Sequence, residues 1–298
     1  RAEYYTGVFY MKQYFDLVKY VLENGKRKEN RTGVATLSCF SCFYKVDLAQ
    51  GYPLLTTKKI FFNSMLRELL WYLSGEEHIK NLKKHTKIWD SWADEEGHLE
   101  TAYGRFWRRF PVPEKGLDGE VWAEGRWVSM DPATGYPVFD QIQYIIDSLK
   151  EIRENPYSSA LRRLVVSAWH PANASVSRLP PCHYTFCFNV SDGKLNCHLS
   201  QRSADIALGV PFNLACYSLL TIMLAKECGF VPGEFAHTLI DAHIYENHVE
   251  GLKMQLERKP SPLPGIIIAD KPFNELVFED FELKNYNPQP FIKFEVAV

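Results

Sequence analysis

The chain has 298 residues, of which 46% are hydrophobic and 23% are charged. This composition supports a sizeable folded core and excludes an intrinsically disordered chain. The 34 Lys and Arg residues nearly balance the 36 Asp and Glu residues, for a formal net charge of −2, which excludes the globally basic surface of a general nucleic-acid binder.

The seven cysteines predict buried thiols rather than a metal site. Cys39 and Cys42 have the C-x-x-C spacing, but a zinc site would need a second pair at similar spacing, and none follows. We therefore expect a reducing, intracellular compartment and no bound metal. The longest apolar run, Leu214 to Ala225, is too short to span a bilayer, and residues 1–10 show no apolar signal core. These features favour a cytoplasmic protein without a membrane partner.

The first third of the chain alternates predicted helices with charged and aromatic segments. An apolar stripe predicts a helix from Met11 to Asn24, followed by a charged loop, Lys26 to Thr32, and an apolar strand, Leu37 to Val46. A second apolar helix contains Met65 to Leu73. Glu68 lies inside this helix, and a carboxylate that faces inward there would need a partner or a raised pKa. Glu68 is therefore a candidate general acid.

The remaining elements follow from the same periodicities. Residues 112–136 are rich in Gly, Pro and charge, which indicates a surface insertion rather than a separate domain. Asp192-Gly193 between two apolar runs predicts a β-hairpin. The other predicted elements are a helix at 141–152, a strand at 164–169, a helix at 214–228, a short strand at 266–269 and a strand-rich tail from 278 onward. The sequence shows no repeat and no low-complexity linker.

Many of the reactive and charged side chains lie within one span of the sequence, among apolar segments that are typical of a protein core. The span includes Leu179-Pro180-Pro181-Cys182-His183, Gln201 to Asp205 and Leu208 to Asn213. Two prolines restrict the backbone before Cys182, which favours a held nucleophile over a loose surface thiol. A positive charge from Arg202 would favour the reactive thiolate. A cysteine protease, with His183 or His243 as the base and Asn213 as its orienter, is an alternative of low specificity.

Four arginines at predicted turns or strand ends suit phosphate binding, because a guanidinium can donate two parallel hydrogen bonds. They are Arg31, Arg162, Arg163 and Arg202. The sequence has no G-x-x-x-x-G-K loop, so a nucleoside triphosphatase is disfavoured. An arginine-clamped monophosphate beside a nucleophilic Cys182 is the simpler interpretation.

Specific short motifs occur in order along nearly the whole chain. They are Asn30-Arg31-Thr32-Gly33, Pro53 to Lys59, Glu68 to Trp71, Ile88-Trp89-Asp90, Trp92 to Glu95, Tyr103-Gly104, Arg162-Arg163, Leu179 to His183, Gln201 to Asn213 and Asp241 to Tyr245. With these motifs the chain resembles the thymidylate synthase family from Met11 to Val298. The resemblance implies an α+β fold, in which one catalytic domain over residues 1–298 contains a large mixed, mostly antiparallel β-sheet packed by helices.

The resemblance also implies the substrates and a covalent mechanism. Cys182 would add to C6 of deoxyuridine monophosphate (dUMP), which makes C5 a nucleophile toward the methylene group of 5,10-methylene-tetrahydrofolate. A thiolate suits this conjugate addition because it is a soft nucleophile that can leave again. The residues implied to hold the nucleotide are Arg31, Arg202 and Ser203 for the phosphate, Arg162 and Arg163 from the partner subunit of a homodimer, and His243 and Tyr245 for the ribose.

The same resemblance implies roles at the base and the folate. Asn213 would pair with the N3 and O4 edge of uracil, where a carboxamide can both donate and accept. Related deoxycytidylate hydroxymethylases carry an acid at that position. Glu68 would organise water and proton transfer at O4, and Tyr103 would help to remove the C5 proton. The residues implied to bind folate are Ile88, Trp89, Trp92, Leu179, Asp205, Leu208, Gly209, Phe212 and Val298. Asp205 and Arg202 are also counted with the catalytic residues.

The fate of the exocyclic methylene intermediate separates two activities. Reduction gives dTMP and dihydrofolate, whereas hydration gives 5-hydroxymethyl-dUMP and tetrahydrofolate, as in a dUMP hydroxymethylase. Trp89 and the tail, Glu295 to Val298, favour reduction. Departures from the family pattern leave hydration as the alternative; they are Glu100-Thr101, Phe106, His170, Cys187 and Ile240. A non-catalytic nucleotide- or RNA-binding homologue is disfavoured by Cys182, Glu68 and Tyr103.

Reduction and hydration of the intermediate are both expected to take place in the cytoplasm, or in the host cytoplasm if a phage encodes the chain. Neither reaction needs nucleic acid.

Overall fold

A computed structural model describes residues 11–99, 103–113, 125–177 and 179–296. The chain divides into two compact units. Unit 1 contains the chain up to Met65 and from Phe188 onward, and unit 2 contains Leu66–Cys187. The single catalytic domain expected over residues 1–298 stays a prediction.

The described residues form α-helices and β-strands, which are numbered in chain order. The helices are α1 (Lys12–Asn24), α2 (Phe62–Ser74), α3 (Tyr103–Arg108), α4 (Gln141–Glu154), α5 (Pro171–Val176), α6 (Gly209–Cys228) and α7 (Val249–Glu257). The strands are β1 (Lys26–Lys28), β2 (Thr36–Asp47), β3 (Phe110–Pro111), β4 (Val128–Met130), β5 (Pro137–Phe139), β6 (Val165–Ser167), β7 (His183–Ser191), β8 (Lys194–Gln201), β9 (Ala204–Asp205), β10 (Val231–Tyr245), β11 (Gly265–Ile268) and β12 (Phe281–Lys284).

The sheet of unit 1 is built around the long strands β2 and β10. These strands run antiparallel, from Glu234 opposite Asp47 to Tyr245 opposite Thr36. β8 and β9 pair in parallel with β10, and β1 adds an antiparallel edge to β2. Helices α1 and α6 pack against this sheet. A mixed sheet packed by helices confirms the predicted α+β class.

Helix α6 is the core helix of unit 1. Most of its residues are buried, as expected for a helix that is apolar on every side and surrounded by protein. Pro211 fits in the first turn, where its missing N–H has no helical partner to lose. By length and composition α6 could cross a membrane, but 72% of its most apolar window is buried inside the protein. A core helix of a soluble protein passes the same test, so this is weak evidence for a membrane span.

Unit 2 contains α4 and two short sheet segments. β6 pairs antiparallel with the first part of β7, from Val165 opposite Cys187 to Ser167 opposite Thr185. α4 begins after Asp140, whose side chain accepts a hydrogen bond from the Gln143 N–H at 2.9 Å and thereby caps the helix. β5 pairs with both β3 and β4. The described part of the expected insertion at 112–136 therefore contributes strand β4 to a small antiparallel sheet.

The predicted hairpin at Asp192-Gly193 is confirmed. Asp192 has φ 50° and Gly193 has φ 72°, which are the two successive left-handed residues of a type I′ turn. This turn joins β7 to β8. The helices predicted at 11–24, 65–73 and 141–152 and the strand predicted at 37–46 are also confirmed, with ends displaced by a few residues at most.

Four local predictions were wrong in part. Residues 26–28 form the edge strand β1 rather than a loop, because three exposed basic side chains hide the strand pattern. α6 begins at Gly209 rather than at 214, since a proline can occupy a first helical turn. The strand predicted at 164–169 is short, and Val165 in it is 52% exposed rather than buried. In the described tail from 278 to 296, regular strand is confined to β12, because Pro288 and Pro290 cannot donate to a ladder.

Candidate active site

Cys182, the predicted nucleophile, is half-buried just before β7 in unit 2. Its backbone N–H donates to Tyr103 Oη at 2.7 Å, and its Sγ lies 3.9 Å from the Pro180 carbonyl oxygen. The Tyr103 ring stacks on His183, with ring centroids 3.8 Å apart. Two residues predicted to be catalytic, Cys182 and Tyr103, are therefore joined by a hydrogen bond.

The environment of His183 argues against this residue as the base of a cysteine protease. Burial lowers the pKa of His183 to about 3. An imidazole with so low a pKa is neutral at physiological pH and is a weak base. His183 therefore cannot activate the neighbouring Cys182 thiol efficiently.

Glu68 faces inward from α2, as the sequence predicts. Its Oε1 accepts a hydrogen bond from Trp89 Nε1 at 2.8 Å. Burial raises the pKa of Glu68 to about 7, although hydrogen bonds from Tyr72 and Trp89 offset part of this effect. A carboxyl group that titrates near neutral pH can both give and take a proton during turnover.

The other predicted site residues of unit 2 are only partly buried or exposed. Trp92 and Leu179 are half-buried, and Ile88 is 38% exposed. Arg162 and Arg163, just before β6, are both exposed. This exposure leaves both guanidiniums accessible to an anion.

Two departures from the family pattern pack against each other in unit 2. The rings of Phe106 and His170 are nearly parallel, with an interplanar angle of 11° and centroids 6.2 Å apart. Phe106 is 1% exposed. Two of the departures are therefore neighbours in the folded structure.

In unit 1, Asn213 belongs to a row of hydrogen-bonded side chains. Its Nδ2 donates to Gln201 Oε1 at 3.0 Å. Gln201 Oε1 is also 2.9 Å from His237 Nε2, and His237 Nδ1 is 2.8 Å from Tyr44 Oη. The sequence did not predict roles for Tyr44, Gln201 and His237. The available signal was His237 at an inward-facing position of an otherwise apolar stretch of β10, where a buried polar group needs partners.

Asp205 is the last residue of β9, a few positions before α6 begins. Its Oδ1 accepts from the backbone N–H of Ala207 at 2.9 Å and of Leu208 at 3.2 Å. His248 is fully buried, and its Nδ1 lies 3.8 Å from Asp205 Oδ1. The Nε2 of the same ring is 2.7 Å from the Glu295 carbonyl oxygen, to which it donates. His248 therefore binds the C-terminal tail by a hydrogen bond, while its Nδ1 faces Asp205 without a hydrogen-bond partner among the described residues.

The tail also contacts a buried lysine. Lys58 Nζ donates to the Ala207 carbonyl oxygen and lies 4.5 Å from the centroid of the Phe294 ring. Burial lowers the pKa of Lys58 to about 8. The described tail is thus anchored within unit 1, whereas Val298, which was predicted to bind folate, lies outside the described residues, as do Glu100 and Thr101.

His243 and Tyr245, the predicted ribose ligands, are close together on β10. Their ring centroids are 5.3 Å apart, and His243 Nδ1 is 3.1 Å from the Asp241 carbonyl oxygen. Hydrogen bonds, first from His243 and then from Lys28 and Ser38, hold the pKa of Asp241 well below its usual range. The Asp241 carboxyl group therefore stays ionised at neutral pH, and its negative charge orients His243.

The predicted phosphate ligands of unit 1 occupy loops beside the sheet. Arg202 and Ser203 are half-buried between β8 and β9, and Arg31 is exposed in the loop before β2. The start of α6 brings together a second group of predicted residues: Asp205, Leu208, Gly209, Phe212 and Asn213. Within the described residues, no group of three or more His, Cys, Asp or Glu side chains is arranged to hold a metal ion.

Comparison with known proteins identifies the class of this enzyme. The family model described as Thymidylate synthase matches residues 12–298, and the chain belongs to the thymidylate synthase family. The members of this family are folate-dependent transferases that act on C5 of a pyrimidine nucleotide. The chain is similar to the thymidylate synthase of Haloferax volcanii, with 48% identity over 338 aligned positions that cover 95% of this chain and 96% of the relative. The family predicted from the motifs is confirmed.

Proposed function

We propose that this enzyme transfers the methylene carbon of 5,10-methylene-tetrahydrofolate to C5 of dUMP and reduces it, giving dTMP and dihydrofolate. The observation that carries the proposal is the similarity, over 95% of the chain, to a relative that is named a thymidylate synthase. Hydration of the intermediate, the hydroxymethylase alternative, is not favoured by this similarity. A non-catalytic homologue is disfavoured because Cys182, Tyr103 and Glu68 all remain.

The test is a product analysis with the purified enzyme. The enzyme is incubated with dUMP and methylene-tetrahydrofolate, dihydrofolate is followed by absorbance, and the nucleotide product is identified by its mass. We expect dTMP and dihydrofolate in equal amounts. A hydroxymethylated nucleotide without dihydrofolate would replace this proposal with the hydroxymethylase, and the absence of both product and covalent adduct would exclude either reaction.

In the proposed mechanism Cys182 attacks first. Its thiolate forms a bond to C6 of the uracil ring, and the electron pair displaced from the C5–C6 double bond makes C5 nucleophilic toward the methylene carbon. After C5 has bonded to the methylene carbon, Tyr103 helps to remove the C5 proton, which expels the tetrahydrofolate nitrogen and leaves a methylene group on C5. Hydride from this tetrahydrofolate reduces the methylene to methyl and yields dihydrofolate, while the C5–C6 double bond re-forms and expels the thiolate. The 2.7 Å bond between the Cys182 N–H and Tyr103 Oη supports this pairing of roles.

Glu68 moves a proton at O4 of the base, directly or through water. Negative charge develops on O4 while the covalent bond to C6 exists, so a proton donor that titrates near neutral pH stabilises that state. The pKa of about 7 supports this role. Trp89 holds the carboxyl group by its indole N–H.

Asn213 reads the base by donating to O4 and accepting from N3–H. Its place in a hydrogen-bonded row supports a fixed amide orientation. Exchange of Asn213 for Asp should shift the preference toward cytosine nucleotides, because a protonated carboxyl group can donate to N3 of cytosine and accept from its amino group. Relative kcat/KM values for dUMP and dCMP test this, and an unchanged ratio would show that Asn213 does not read the base.

Three further groups complete the proposed contacts. Arg31, Arg202 and Ser203 bind the phosphate, and His243 with Tyr245 binds the ribose hydroxyl. Asp205 binds the pterin ring with the help of its two backbone hydrogen bonds. The other proposed folate contacts are Ile88, Trp89, Trp92, Leu179, Leu208, Gly209, Phe212 and Val298.

The enzyme works as a homodimer in this proposal, and Arg162 and Arg163 bind the phosphate in the partner's site. Two observations support it. Arg162 and Arg163 are exposed. β2 exposes two large aromatic side chains close together in the strand, Phe40 at 86% and Phe43 at 56%, and clustered exposed apolar groups are typical of association surfaces. Exchange of Phe40 and Phe43 for Lys should give monomers in sedimentation velocity, whereas Tyr20→Lys on α1 should not.

Subunit complementation tests the shared phosphate contact. Cys182→Ser alone and the double variant Arg162→Ala/Arg163→Ala should both be nearly inactive. After unfolding and refolding together in equal amounts, half of the dimers contain one chain of each type, and each of these contains one intact site. About a quarter of the wild-type activity should therefore return. No recovery, with mixed dimers present, would show that the arginines act within their own chain.

We place the enzyme in the cytoplasm, or in the host cytoplasm if a phage encodes it. All seven cysteines are free, which supports a reducing compartment. Residues 112–136 are proposed to be a surface insertion in a single catalytic domain.

A further inference from the structure

A row of four side chains runs through unit 1 and ends at Asn213. Tyr44 on β2 lies directly opposite His237 on β10 in the strand register, and Tyr44 Oη is 2.8 Å from His237 Nδ1. His237 Nε2 is 2.9 Å from Gln201 Oε1, which also accepts from Asn213 Nδ2 at 3.0 Å. His237 is 0% exposed and Gln201 is 2% exposed. Water therefore has little access to compete for these bonds.

Gln201 determines which group donates and which accepts in each hydrogen bond of the row. Gln201 Nε2 donates to the Ser203 carbonyl oxygen at 3.0 Å, and a carbonyl oxygen can only accept. The amide oxygen of Gln201 must therefore face His237 and Asn213, and both must donate to it. His237 consequently carries its proton on Nε2 when neutral, and its bare Nδ1 accepts the hydroxyl proton of Tyr44.

This polarity decides which way the Asn213 amide points. One N–H of Asn213 is committed to Gln201, which leaves the second N–H and Oδ1 for a ligand. A carboxamide is nearly symmetric in shape, so a freely rotating one could flip by 180° and exchange the positions of its donor and its acceptor. In the observed orientation the amide matches the N3–H and O4 of uracil. In the flipped orientation it matches the N3 and amino group of cytosine.

We propose that Tyr44 and His237 are positioning residues that act through Gln201 to prevent a flip of the Asn213 amide, so that Asn213 accepts uracil and rejects cytosine. The inference rests on the proposed function in that Asn213 must read the base. Flipping the Asn213 amide would place Asn213 Oδ1 against Gln201 Oε1, two acceptors without a proton between them. Loss of the Tyr44 hydroxyl removes the donor that favours the Nε2-protonated tautomer of His237. Without donation from His237 to Gln201 Oε1, the bond from Gln201 Nε2 to the Ser203 carbonyl oxygen is left to oppose a joint flip of Gln201 and Asn213.

The test compares Tyr44→Phe with Tyr14→Phe. Tyr14 is a matched control, since its buried hydroxyl also lies in unit 1 and donates to a backbone carbonyl, that of Ile206, at 2.9 Å. Binding of dUMP and of dCMP is measured by calorimetry for the wild type and both variants. The Tyr44 variant should lose about 3- to 10-fold of its preference for dUMP, the range expected for one hydrogen bond, chiefly by tighter binding of dCMP. The Tyr14 variant should keep the wild-type ratio.

A second readout does not require any ligand. In protein labelled with ¹⁵N-histidine, the ring signals of His237, assigned by their loss in His237→Gln, should report the tautomer protonated at Nε2. Tyr44→Phe should shift these signals toward a mixture of tautomers, and Tyr14→Phe should not.

The possible outcomes separate this inference from the proposed function. A wild type that binds neither nucleotide, or both equally, refutes the inference together with base reading by Asn213. A wild type that prefers dUMP, with the same preference in Tyr44→Phe, refutes the inference alone, as does a His237 ring protonated at Nδ1. If Tyr44→Phe does not fold, the wild-type tautomer and the selectivity of His237→Gln, which should also fall, decide the question.

Discussion

Replacing Glu68 with Gln should change how the stability of the enzyme depends on pH. Burial raises the pKa of Glu68 from an ordinary 4.5 to about 7, so the folded state holds this proton more tightly than the unfolded state does. The stabilising contribution is fully present below the unfolded pKa and is lost as the pH rises toward and through about 7. For these two pKa values, linkage makes the wild type about 2.5 kcal/mol less stable at pH 8 than at pH 5 through this one group.

Glu68→Gln removes the titration while keeping an oxygen that can accept from Trp89 Nε1. Urea unfolding of the wild type and the variant at pH 5 and pH 8, at one protein concentration, gives the four free energies of unfolding that are needed. The variant should gain about 2.5 kcal/mol relative to the wild type between the two pH values. Glu154→Gln, an exposed carboxyl group at the end of α4, serves as the control and should follow the wild type. Equal pH dependence in Glu68→Gln and the wild type would refute the burial argument.

Three other substitutions test single contacts. Trp89→Phe removes a hydrogen bond that lowers the pKa of Glu68, so the pH-dependent loss of stability should move to higher pH in the same unfolding series. Gly104→Ala would place a Cβ 2.4 Å from the Tyr72 carbonyl oxygen, so the free energy of unfolding should fall by roughly 1–3 kcal/mol, and an unchanged melting curve would contradict this. Cys182→Ser should lower kcat by roughly a thousandfold or more while dUMP binding, measured by calorimetry, stays within a few-fold; normal turnover would remove Cys182 from the nucleophile role.

Periodicity and turn chemistry were sufficient for most of the secondary structure. The helix at 11–24 and the Asp192-Gly193 turn follow from patterns of a few neighbouring residues, and both are confirmed. β1 could not be found in this way, because its strand conformation depends on pairing with β2 and its own three side chains are basic and exposed. Helix α6 was predicted too short for a related reason, since Pro211 marks both a break and an acceptable first turn.

The candidate site shows the same division between local and non-local information. The inward orientation of Glu68 follows from its apolar neighbours in α2, which the sequence displays. The partner that holds Glu68, the Trp89 indole N–H, was not predicted, because the two residues are 21 positions apart. The link from His248 to the Glu295 carbonyl oxygen joins residues 47 positions apart, and no periodicity within either segment indicates it.

The pairing of β2 with β10 has a consequence for biosynthesis. Tyr44 and His237 are 193 positions apart in the chain, so β2 leaves the ribosome long before its partner strand exists. At roughly 5–20 residues per second, this delay is about 10–40 s, during which the exposed edge of β2 is open to other chains. The enzyme can therefore complete its central sheet only once β10 has been synthesised, and a nascent or truncated chain that ends before β10 should depend on chaperones to stay soluble.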